Sequence, residues 1–512
     1  MVLVRSSGND RADRVYWRRC LVAVSGSTGS SAVKLRAIDG GKAPRAAKKP
    51  SIVPPMPPDE DRFIREYELS DTGNAERLAT KYNDRVRFVS TWEEHIIYTD
   101  GHWKRDTAGV GVGRLAKMTL ASITEDTGHA TSAEKKELMK WRKKSSAAGK
   151  RRAMVELLKH EDDIALDHED LDKDPWLLNV ANGTLDLRTG ELKPHDHHDL
   201  ITKRIAINYN PKAKAPRWEK FLKEVLPDKD VRAFIHRFHG YCMTGDVGER
   251  MFVIFLGGGC NGKSAFLNAI ESVMGSYATT AAPTLLVAKE HDSHPTEIAD
   301  LYGARLAVSS ETKKGATFDE ERVKRLTGTD RLKARRMRED HWHFNPTHKL
   351  LIASNHKPRV KDATDSFWDR VAIVPFTVRI AKDKIDRKLG SKLKEEAEGI
   401  LAWLVEGCRL WRAMGLKAPQ VVMDATQEYR NDEDLVGKFL TECTAVDKNS
   451  FLFTSEIMKV NKIWAEGLNL FPVSSKELAE KLKAEPYNCV SVKRDGNMGW
   501  KGLKLTKVSK YK

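Results

Sequence analysis

A glycine-rich loop carries the chemistry that the sequence indicates most strongly. The apolar run from Met251 to Leu256 is typical of a buried parallel strand, and a helical pattern begins near Lys263. Glycines between the two let backbone N–H groups approach phosphate oxygens, which a β-carbon would obstruct. Lys263 could reach the β- and γ-phosphates of ATP, and the Ser264 hydroxyl could bind Mg²⁺. The loop expected to bind this nucleotide consists of Gly257, Gly258, Gly259, Cys260, Asn261, Gly262, Lys263 and Ser264.

An acidic residue ends the second apolar strand of the same region. Glu311 follows the apolar run that begins at Ala304. A carboxylate beside a phosphate-binding loop can polarise the attacking water and help to hold Mg²⁺, so Glu311 is a candidate catalytic residue and metal ligand. Its neighbours are Ser310 and Thr312 rather than a second acid, which leaves the metal-binding role open. A surface or helix-capping glutamate is the alternative.

Two further strand ends carry polar residues suited to phosphoryl chemistry. Asn355 ends an apolar run, where its amide could orient the attacking water near the γ-phosphate; an amide that only caps the next turn is the alternative. Arg370 precedes the run that ends at Phe376. An arginine there can stabilise the transition-state charge, commonly on a neighbouring subunit's nucleotide. An ordinary ion pair with Asp369 or Asp365 would explain Arg370 equally simply.

Positive charge concentrates between residues 324 and 338, where Asp330 is the only acid. Residues 332–337 and 341–344 can pair as the two strands of a hairpin. A basic hairpin on an ATPase domain could bind DNA phosphates and move with the nucleotide state, although a solvated basic face remains an alternative. The DNA-binding candidates are Lys324, Lys333, Arg335, Arg336 and Arg338.

The bulk properties fit a cytoplasmic protein with a polyanionic partner. The chain has 512 residues, 40% of them hydrophobic, which is enough for more than one core. Its formal net charge of +16 favours nucleic acid as the partner. No apolar stretch approaches the roughly 20 residues of a membrane-spanning helix, and no secretory signal precedes the fold. The six cysteines show no zinc spacing.

Several local patterns predict structure without adding chemistry. Residues 96–103 predict a hairpin, and residues 132–160 predict a helical stretch whose basic cluster we interpret as a solvated face. The glycine run 109–113 is interpreted as a loop. Neighbouring ligands on one loop rarely close a metal site, so the His/Asp run 194–199 is not taken as one. The apolar spacing of 218–241 predicts helices.

The order of these motifs resembles the superfamily 3 helicases of the AAA+ class. It is most similar to the phage/plasmid primase-helicase family, which includes the poxvirus nucleoside triphosphatase needed for genome replication. Upstream, 182–190 and 239–245 also look like that family's amino-terminal region. The motifs that carry the resemblance are Gly257–Ser264, Glu311, Lys324–Asp330, Lys349–Asn355 and Trp368–Arg370.

The resemblance implies a homo-hexameric ring that encloses a DNA strand and moves along it in the 3′-to-5′ direction. ATP with Mg²⁺ would lie between subunits, with Arg370 acting on the neighbour's nucleotide. Lys324 and the hairpin would face the central pore, and the DNA would be single-stranded or forked. Replication proteins of a mobile element would be further partners.

The resulting fold class is α/β, with a P-loop ATPase core of the AAA+ type on a parallel sheet. A mixed α+β and helical region precedes this core, and a winged-helix-like domain follows it. The expected segments are a disordered basic tail (1–60), a mixed α+β domain (61–175), a helical region (176–245), the ATPase domain (246–385), a helical connector (386–430) and the winged-helix-like domain (431–512).

The function expected from these features is an ATP-dependent DNA helicase that acts in replication. An ATP-switched origin-binding or loading protein with little unwinding activity is the alternative. A P-loop kinase for small molecules is disfavoured, because it would need a lid and an acceptor pocket rather than a basic hairpin. Relatives often carry a primase domain with an acidic metal site. No convincing counterpart is found in this sequence, so we predict that the chain makes no primers.

Overall fold

The computed structural model describes seven parts of the chain, and all of them fall within one compact unit, residues 57–512. The predictions for the 1–60 tail, for Glu311 and for Arg338 lie outside the described residues. The described residues are 67–123, 131–288, 296–310, 315–336, 340–360, 364–468 and 470–506.

The first region combines a small sheet with four helices, as the mixed composition predicts. Its helices are α1 (Asp71–Tyr82), α2 (Val110–Ser122), α3 (Ser132–Ser145) and α4 (Ala148–Leu158). Its strands are β1 (Val86–Val89), β2 (Glu94–Thr99), β3 (His102–Arg105) and β4 (Ala165–Leu166). The sheet order is β3-β2-β1-β4. β2 and β3 form the predicted hairpin, with Asp100 and Gly101 both at positive φ as a tight hairpin turn requires.

The glycine run 109–113 is not a loop, and that prediction is wrong. Helix α2 begins at Val110, inside the run. The Asp106 carboxylate accepts hydrogen bonds from the backbone N–H groups of Gly111 and Val112, at 2.6 and 2.7 Å. These are among the amides that a helix start leaves without an intrahelical partner. An acid outside the run therefore stabilises a helix that the glycines alone disfavour.

A second region leads to the ATPase core. Its strands are β5 (Leu177–Val180), β6 (Gly183–Asp186) and β7 (Glu191–Lys193), and its helices are α5 (Pro216–Val225) and α6 (Lys229–Tyr241). The three strands form one antiparallel sheet in chain order, and two helices occupy the stretch 218–241 for which helices are predicted. Both helices bury aromatic side chains in the largest hydrophobic core of the chain, among them Trp218, Phe234 and Phe238.

The core of the molecule is a five-stranded parallel sheet. The strands of this region are β8 (Phe252–Leu256), β9 (Ala278–Ala281), β10 (Leu306–Ser309), β11 (Leu332–Ala334), β12 (Trp342–Phe344), β13 (Lys349–Ser354) and β14 (Val371–Pro375). Its helices are α7 (Lys263–Met274), α8 (Thr296–Ala299), α9 (Glu320–Leu326) and α10 (Asp365–Trp368). The sheet order is β14-β8-β13-β10-β9, and each neighbouring pair is parallel. Strands β11 and β12 pair separately as an antiparallel hairpin.

Both faces of this sheet are covered, which explains its uninterrupted apolar strands. Alternate residues of β8 enter different cores: Val253 and Phe255 join one cluster, and Phe252 and Ile254 join the other. The four predicted strands are confirmed. Strand β9 was not predicted, because its sequence, Ala-Thr-Thr-Ala, is short and half polar and lies at a sheet edge.

The carboxyl-terminal third contains a helical segment followed by a small mixed unit. Its helices are α11 (Leu389–Glu395), α12 (Ala397–Met414), α13 (Gln420–Glu433), α14 (Leu435–Cys443), α15 (Thr454–Gly467) and α16 (Ser475–Lys483). Its strands are β15 (Thr444–Phe453), β16 (Val490–Arg494) and β17 (Asn497–Leu505). From α14 onward the order is helix, strand, two helices and two strands, with β17 between β15 and β16 in one antiparallel sheet.

Two of these helices support the ATPase core directly. Helix α12 crosses α6 where Gly240 meets Gly407, and a β-carbon at position 240 would overlap the backbone of Gly407 and Cys408. Helix α13 packs on the edge strand β14, where the Thr426 hydroxyl accepts a hydrogen bond from the backbone N–H of Ile373 at 3.0 Å. The edge of the parallel sheet is thereby covered by a helix from the connector.

Candidate active site

The glycine-rich loop joins the carboxyl end of β8 to the first turn of α7. Gly262 precedes the helix with φ +87°, a conformation that favours glycine, and a β-carbon there would lie 2.5 Å from Val225 Cγ1. Around Gly258 and Gly259, by contrast, no described heavy atom lies within 4 Å of where a β-carbon would be. The loop is therefore packed against α5 at its end and open in its middle, where a phosphate group would approach the backbone and the amino end of α7.

The Lys263 ammonium group is buried in this loop and bonded to oxygen atoms. Lys263 as a whole is only 6% exposed. Nζ donates to the backbone oxygen of Gly257 at 2.6 Å, to Asn261 Oδ1 at 3.3 Å and to Asn355 Oδ1 at 3.1 Å. These three acceptors are uncharged and keep the Lys263 ammonium in the loop. Phosphate oxygens of a bound nucleotide could replace them, because a charged acceptor forms a stronger hydrogen bond with an ammonium group.

Asn355 reaches Lys263 because their strands are neighbours. Strand β13 runs beside β8 with Ser354 paired to Leu256, so both carboxyl ends lie at the same sheet edge. Ser354 Oγ accepts from the backbone N–H of His356 at 3.2 Å, which shapes the turn just beyond Asn355. Two candidate residues that are 92 positions apart in the chain are thus brought into direct contact.

Of the two proposed metal ligands, Ser264 and Glu311, the structure describes only Ser264. Ser264 lies in the first turn of α7 and is exposed to solvent. Strand β10, the neighbour of β13, ends at Ser309 on the same sheet edge, and Glu311 beyond it lies outside the described residues. A hydroxyl from α7 and a carboxylate following β10 are suitable oxygen ligands for Mg²⁺.

A cavity of about 840 Å³ adjoins the loop. Its lining includes Gly262 and Ala265, Phe221 of α5 beside Gly262, and Val378 and Ile380, which follow β14. The backbone N–H of Ile380 donates to the oxygen of Cys260 at 2.7 Å, so this segment is tied to the loop. The lining also carries six charged residues, which are Arg217, Glu224, Arg379, Lys384, Asp386 and Lys394. A concave site that combines apolar and polar groups is suited to a small-molecule ligand. Of these lining residues the sequence analysis named only Gly262 as part of a binding site, because the others belong to no recognisable nucleotide-binding motif.

Arg370 lies at the opposite end of the sheet from the phosphate-binding loop. Strands β14 and β8 are parallel with Val371 paired to Phe252, so Arg370 precedes the strand at its amino end. Its Nη1 donates to Thr327 Oγ1 at 3.2 Å and to the oxygen of Arg250 at 3.5 Å. Arg370 lies level with Met251, and the six residues from there to Gly257 span roughly 20 Å at ~3.3 Å per residue. Arg370 therefore cannot reach a nucleotide bound in its own subunit.

The ion pair with Asp365, which is one alternative explanation for Arg370, is formed by Arg430 instead. Asp365 Oδ1 accepts from Arg430 Nη2 on α13. Within the described part of the chain, Arg370 Nε is buried and lacks a hydrogen-bond partner.

The basic hairpin has one buried and one exposed face. Leu332 and Ala334 of β11 and Trp342 and Phe344 of β12 are buried in the second core. Lys333 lies on the exposed face. Arg335 and Arg336 follow β11 and are half-buried, and Arg338 lies outside the described residues.

Lys324 lies apart from the hairpin on α9. Its Nζ pairs with Glu320 Oε1 at 2.5 Å and donates to Thr364 Oγ1 at 3.0 Å. A DNA phosphate would have to replace these two partners. The structure thus places Lys333 free on the surface and Lys324 in an intrachain ion pair.

Strand β12 of the hairpin is packed against the first region of the chain, a contact that the sequence analysis did not anticipate. A ring nitrogen of His168 lies 2.9 Å from the backbone oxygen of His343 on β12. The His168 ring meets Trp342 edge-on at 5.3 Å, and the Tyr302 hydroxyl donates to the His168 oxygen at 2.7 Å. Movement of this hairpin would therefore change the contacts of His168 in the first region.

Two buried cations fix the amino ends of the central strands. Arg305, just before β10, donates to the backbone oxygens of Leu177 and Met243. Lys349, the first residue of β13, donates to the oxygens of Thr244, Asp246 and Thr347. Burial lowers the pKa of Lys349 to about 7. These groups attach the second region to the sheet end opposite the phosphate-binding loop.

The His/Asp run does gather three potential ligands. The ligand atoms of Asp196, His197 and His198 lie within 4.8 Å of one another. Asp196 Oδ1 accepts from the backbone N–H of His198 at 2.9 Å, an ordinary turn contact. This geometry does not change the interpretation of the run as a surface turn.

Comparison with known proteins agrees with the motif order. The family model described as "D5 N terminal like" matches residues 75–227, and the "Family of unknown function (DUF5906)" matches residues 255–370. Each model matches less than half of the chain, so the chain has a D5-N-terminal-like part followed by a DUF5906-like part. The second matched span contains the whole phosphate-binding loop together with Asn355 and Arg370.

Viral proteins named as helicases or primases are among the proteins similar to this D5-like chain. A protein of Acanthamoeba polyphaga mimivirus named as a helicase is 28% identical over 309 residues, 54% of this chain and 32% of the relative. A protein of Frog virus 3 named as a helicase is 26% identical over 313 residues, which cover 56% of this chain and 30% of the viral protein. A protein of African swine fever virus named as a primase is 24% identical over 348 residues, 62% of this chain and 36% of its own. The D5-like chain thus spans about a third of the length of these relatives.

Among solved structures, the apo carboxyl-terminal region of NrS-1 matches 84% of the D5-like chain and 98% of its own, with a TM-score of 0.44 and 12% identity. Within the described residues, no helix is long and apolar enough to cross a membrane.

Proposed function

We propose that the chain is an ATP-dependent DNA helicase of superfamily 3 that acts in replication. The observation that carries this proposal is one contact, the 3.1 Å hydrogen bond between the Lys263 ammonium and the Asn355 amide. It joins a phosphate-binding loop to a polar residue on the adjacent parallel strand, the arrangement that phosphoryl transfer to water requires. Similarity to D5-like proteins adds DNA replication as the setting.

The proposed chemistry is hydrolysis of ATP with Mg²⁺. Backbone N–H groups of the loop and the amino end of α7 would bind the phosphates, with Lys263 on the β- and γ-phosphates. Asn355 would orient the attacking water, and Glu311 would polarise it. Ser264 and Glu311 would bind Mg²⁺, which neutralises charge as the γ-phosphate leaves. The adjoining cavity would take the nucleoside.

In the proposed function, the protein forms a hexameric ring of the AAA+ type, and an identical neighbouring subunit completes each nucleotide site. Because Arg370 lies at the far end of its own sheet, it could stabilise transition-state charge only on a neighbour's nucleotide. A head-to-tail interface that closes on itself generates such a ring.

The proposed DNA contacts come from two places. The hairpin with Lys333, Arg335, Arg336 and Arg338, together with Lys324, would face the strand in the pore and move with the nucleotide state. The unit that begins at α14 would act as a winged-helix domain, since three helices and a three-stranded antiparallel sheet lie in the segment 431–512 for which such a domain is expected.

Removing hairpin charge should uncouple DNA from hydrolysis. We expect a Lys333→Ala/Arg335→Ala variant to lose most of the DNA-stimulated increase in ATP hydrolysis, because two phosphate contacts disappear while the loop at Lys263 is untouched. The measurement is the hydrolysis rate against the concentration of single-stranded DNA, with the exposed pair Lys220→Ala/Lys223→Ala as the matched control. Full stimulation in the hairpin variant would contradict the assignment of this hairpin to DNA.

The function itself is tested by strand separation. Forked DNA duplexes with either a 3′ or a 5′ tail are incubated with ATP and wild-type protein or Lys263→Ala. The proposal expects unwinding of the 3′-tailed fork, lost in the variant. Unwinding only from a 5′ tail would overturn the direction.

An ATP-switched loading protein remains the second candidate. The carboxyl end of β10 presents Ser309 and Ser310 rather than an acid, so weak metal binding at this point would favour nucleotide binding over turnover. DNA-stimulated hydrolysis without strand separation would support this candidate.

Primer synthesis is not part of the proposed function. The relatives named as primases extend well beyond the part that this chain matches. Template-dependent oligoribonucleotide synthesis by the purified protein would overturn this prediction.

A further inference from the structure

The outward face of α3 carries a row of lysines that the proposed motor does not use. Lys136, Lys140 and Lys143 are all exposed, and at 3.6 residues per turn they lie within about 60° of one another around the helix. The row is roughly 10 Å long at ~1.5 Å per residue. None of the three forms an ion pair within the described residues. Their charges are therefore available to a partner.

The orientation of this row is fixed by a buried polar network on the opposite side of α3. Trp141 and Ser145 are buried, and the Trp141 indole N–H donates to Asn74 Oδ1 at 3.1 Å. Asn74 Nδ2 in turn donates to Ser145 Oγ at 3.1 Å. Rotation of α3 about its axis would break both bonds inside the core. The lysine row is consequently held outward by the fold.

The carboxylates of α3 do not neutralise the row. Glu134 is engaged at the amino end of the helix, where its Oε2 accepts from the Thr131 backbone N–H at 2.6 Å and hydroxyl at 2.8 Å. Glu137 lies about 60° from Lys140 around the helix, toward the Trp141 side, and forms no ion pair with it within the described residues. Besides the lysines, the face of the row carries Ser132 and Ala133 at its amino end and Met139, which is 61% exposed.

The composition of this face favours one kind of partner. Sites for single-stranded nucleic acid combine cations with aromatic rings on which the unpaired bases stack. The only aromatic residue of α3 is Trp141, which is buried. A line of ammonium groups without a stacking surface matches phosphates alone, as the backbone of a duplex presents them.

We propose that Lys136, Lys140 and Lys143 form a binding surface for the phosphate backbone of double-stranded DNA, outside the motor. This surface would hold the duplex arm of a fork near the ring. The proposal rests on the proposed helicase function only for the choice of DNA as the polyanion.

The test is duplex binding as a function of salt concentration. The triple variant Lys136→Gln/Lys140→Gln/Lys143→Gln is compared with wild type, without nucleotide, on a blunt DNA duplex. The slope of log K against log salt is negative, and losing three phosphate contacts should make it less steep by about 2.7, since each contact on duplex DNA contributes ~0.9 to its magnitude. The matched control Lys220→Gln/Lys223→Gln/Lys229→Gln, also fully on the surface, should keep the wild-type slope.

Charge rather than lysine identity should decide the result. The triple arginine variant at the same three positions is expected to restore the slope, and thermal unfolding of all variants verifies that α3 remains folded. An unchanged duplex slope in the glutamine variant would overturn the proposal, as would a loss confined to a single-stranded oligonucleotide of the same length. Because no ATP is present, failure of wild type to unwind a fork would refute the helicase and leave this binding result standing.

Discussion

Replacing Lys263 by alanine should reduce ATP hydrolysis by at least about 10²-fold, the usual effect of removing one preorganised donor to transition-state charge. The ammonium group is buried and already within hydrogen-bond distance of three oxygens around the phosphate-binding loop. Alanine leaves the γ-phosphate without this charge while it is being transferred. The measurement is the steady-state rate of phosphate release, with and without DNA.

The Lys263 result must be separated from a loss of fold. Removing the ammonium also removes a partner from the Gly257 oxygen and from Asn355, so thermal unfolding of the variant should be recorded beside wild type. Lys223→Ala, an exposed lysine on α5, is the matched control and should hydrolyse ATP at the wild-type rate. Hydrolysis by a folded Lys263→Ala protein at a rate near wild type would refute the assignment of this loop to catalysis.

Strand β8 and the glycine-rich loop that follows it were predictable because their signals are local. The signals are five consecutive apolar residues, then glycines, then Lys263. In the fold these become strand β8, the loop and the first residue of helix α7. The same holds for the hairpin around Asp100 and Gly101, whose turn residues specify the connection.

Other features depend on partners that are distant in sequence, and no local pattern reveals them. Helix α2 begins inside a glycine run because the Asp106 carboxylate binds its first amides. Contact between Lys263 and Asn355 requires β13 to lie beside β8 rather than elsewhere in the sheet. The docking of His168 on the backbone of His343 joins residues 175 positions apart. In each case tertiary packing decides which groups meet.

The position of Arg370 shows how the fold can add to a sequence assignment. The motif identifies an arginine before the last strand of the sheet, but only the parallel pairing of β14 with β8 shows which end of the sheet it occupies. At that end it is roughly 20 Å from its own phosphate-binding loop, with ~3.3 Å for each strand residue. A catalytic role for Arg370 therefore demands a second subunit.

Replacing Arg370 by alanine should lower the hydrolysis rate by about 10³-fold or more, as loss of an arginine that stabilises phosphoryl transfer in trans does. ATP binding should persist, because the loop from Gly257 to Ser264 lies at the other end of the sheet. Equilibrium binding of a fluorescent ATP analogue, measured beside hydrolysis, separates the two effects. Equal losses of binding and hydrolysis would indicate a structural role through Thr327 instead.

Mixing two inactive proteins provides the sharper experiment on Arg370. A subunit with Lys263→Ala still offers a wild-type Arg370, and a subunit with Arg370→Ala still offers a wild-type loop. In a head-to-tail ring with free exchange of subunits, about one quarter of the interfaces would combine the two intact halves. Hydrolysis should therefore reappear on mixing, and a double variant Lys263→Ala/Arg370→Ala mixed with either protein is the control that stays inactive. If the mixture of single variants were as inactive as its components, the nucleotide would not be shared between subunits through Arg370.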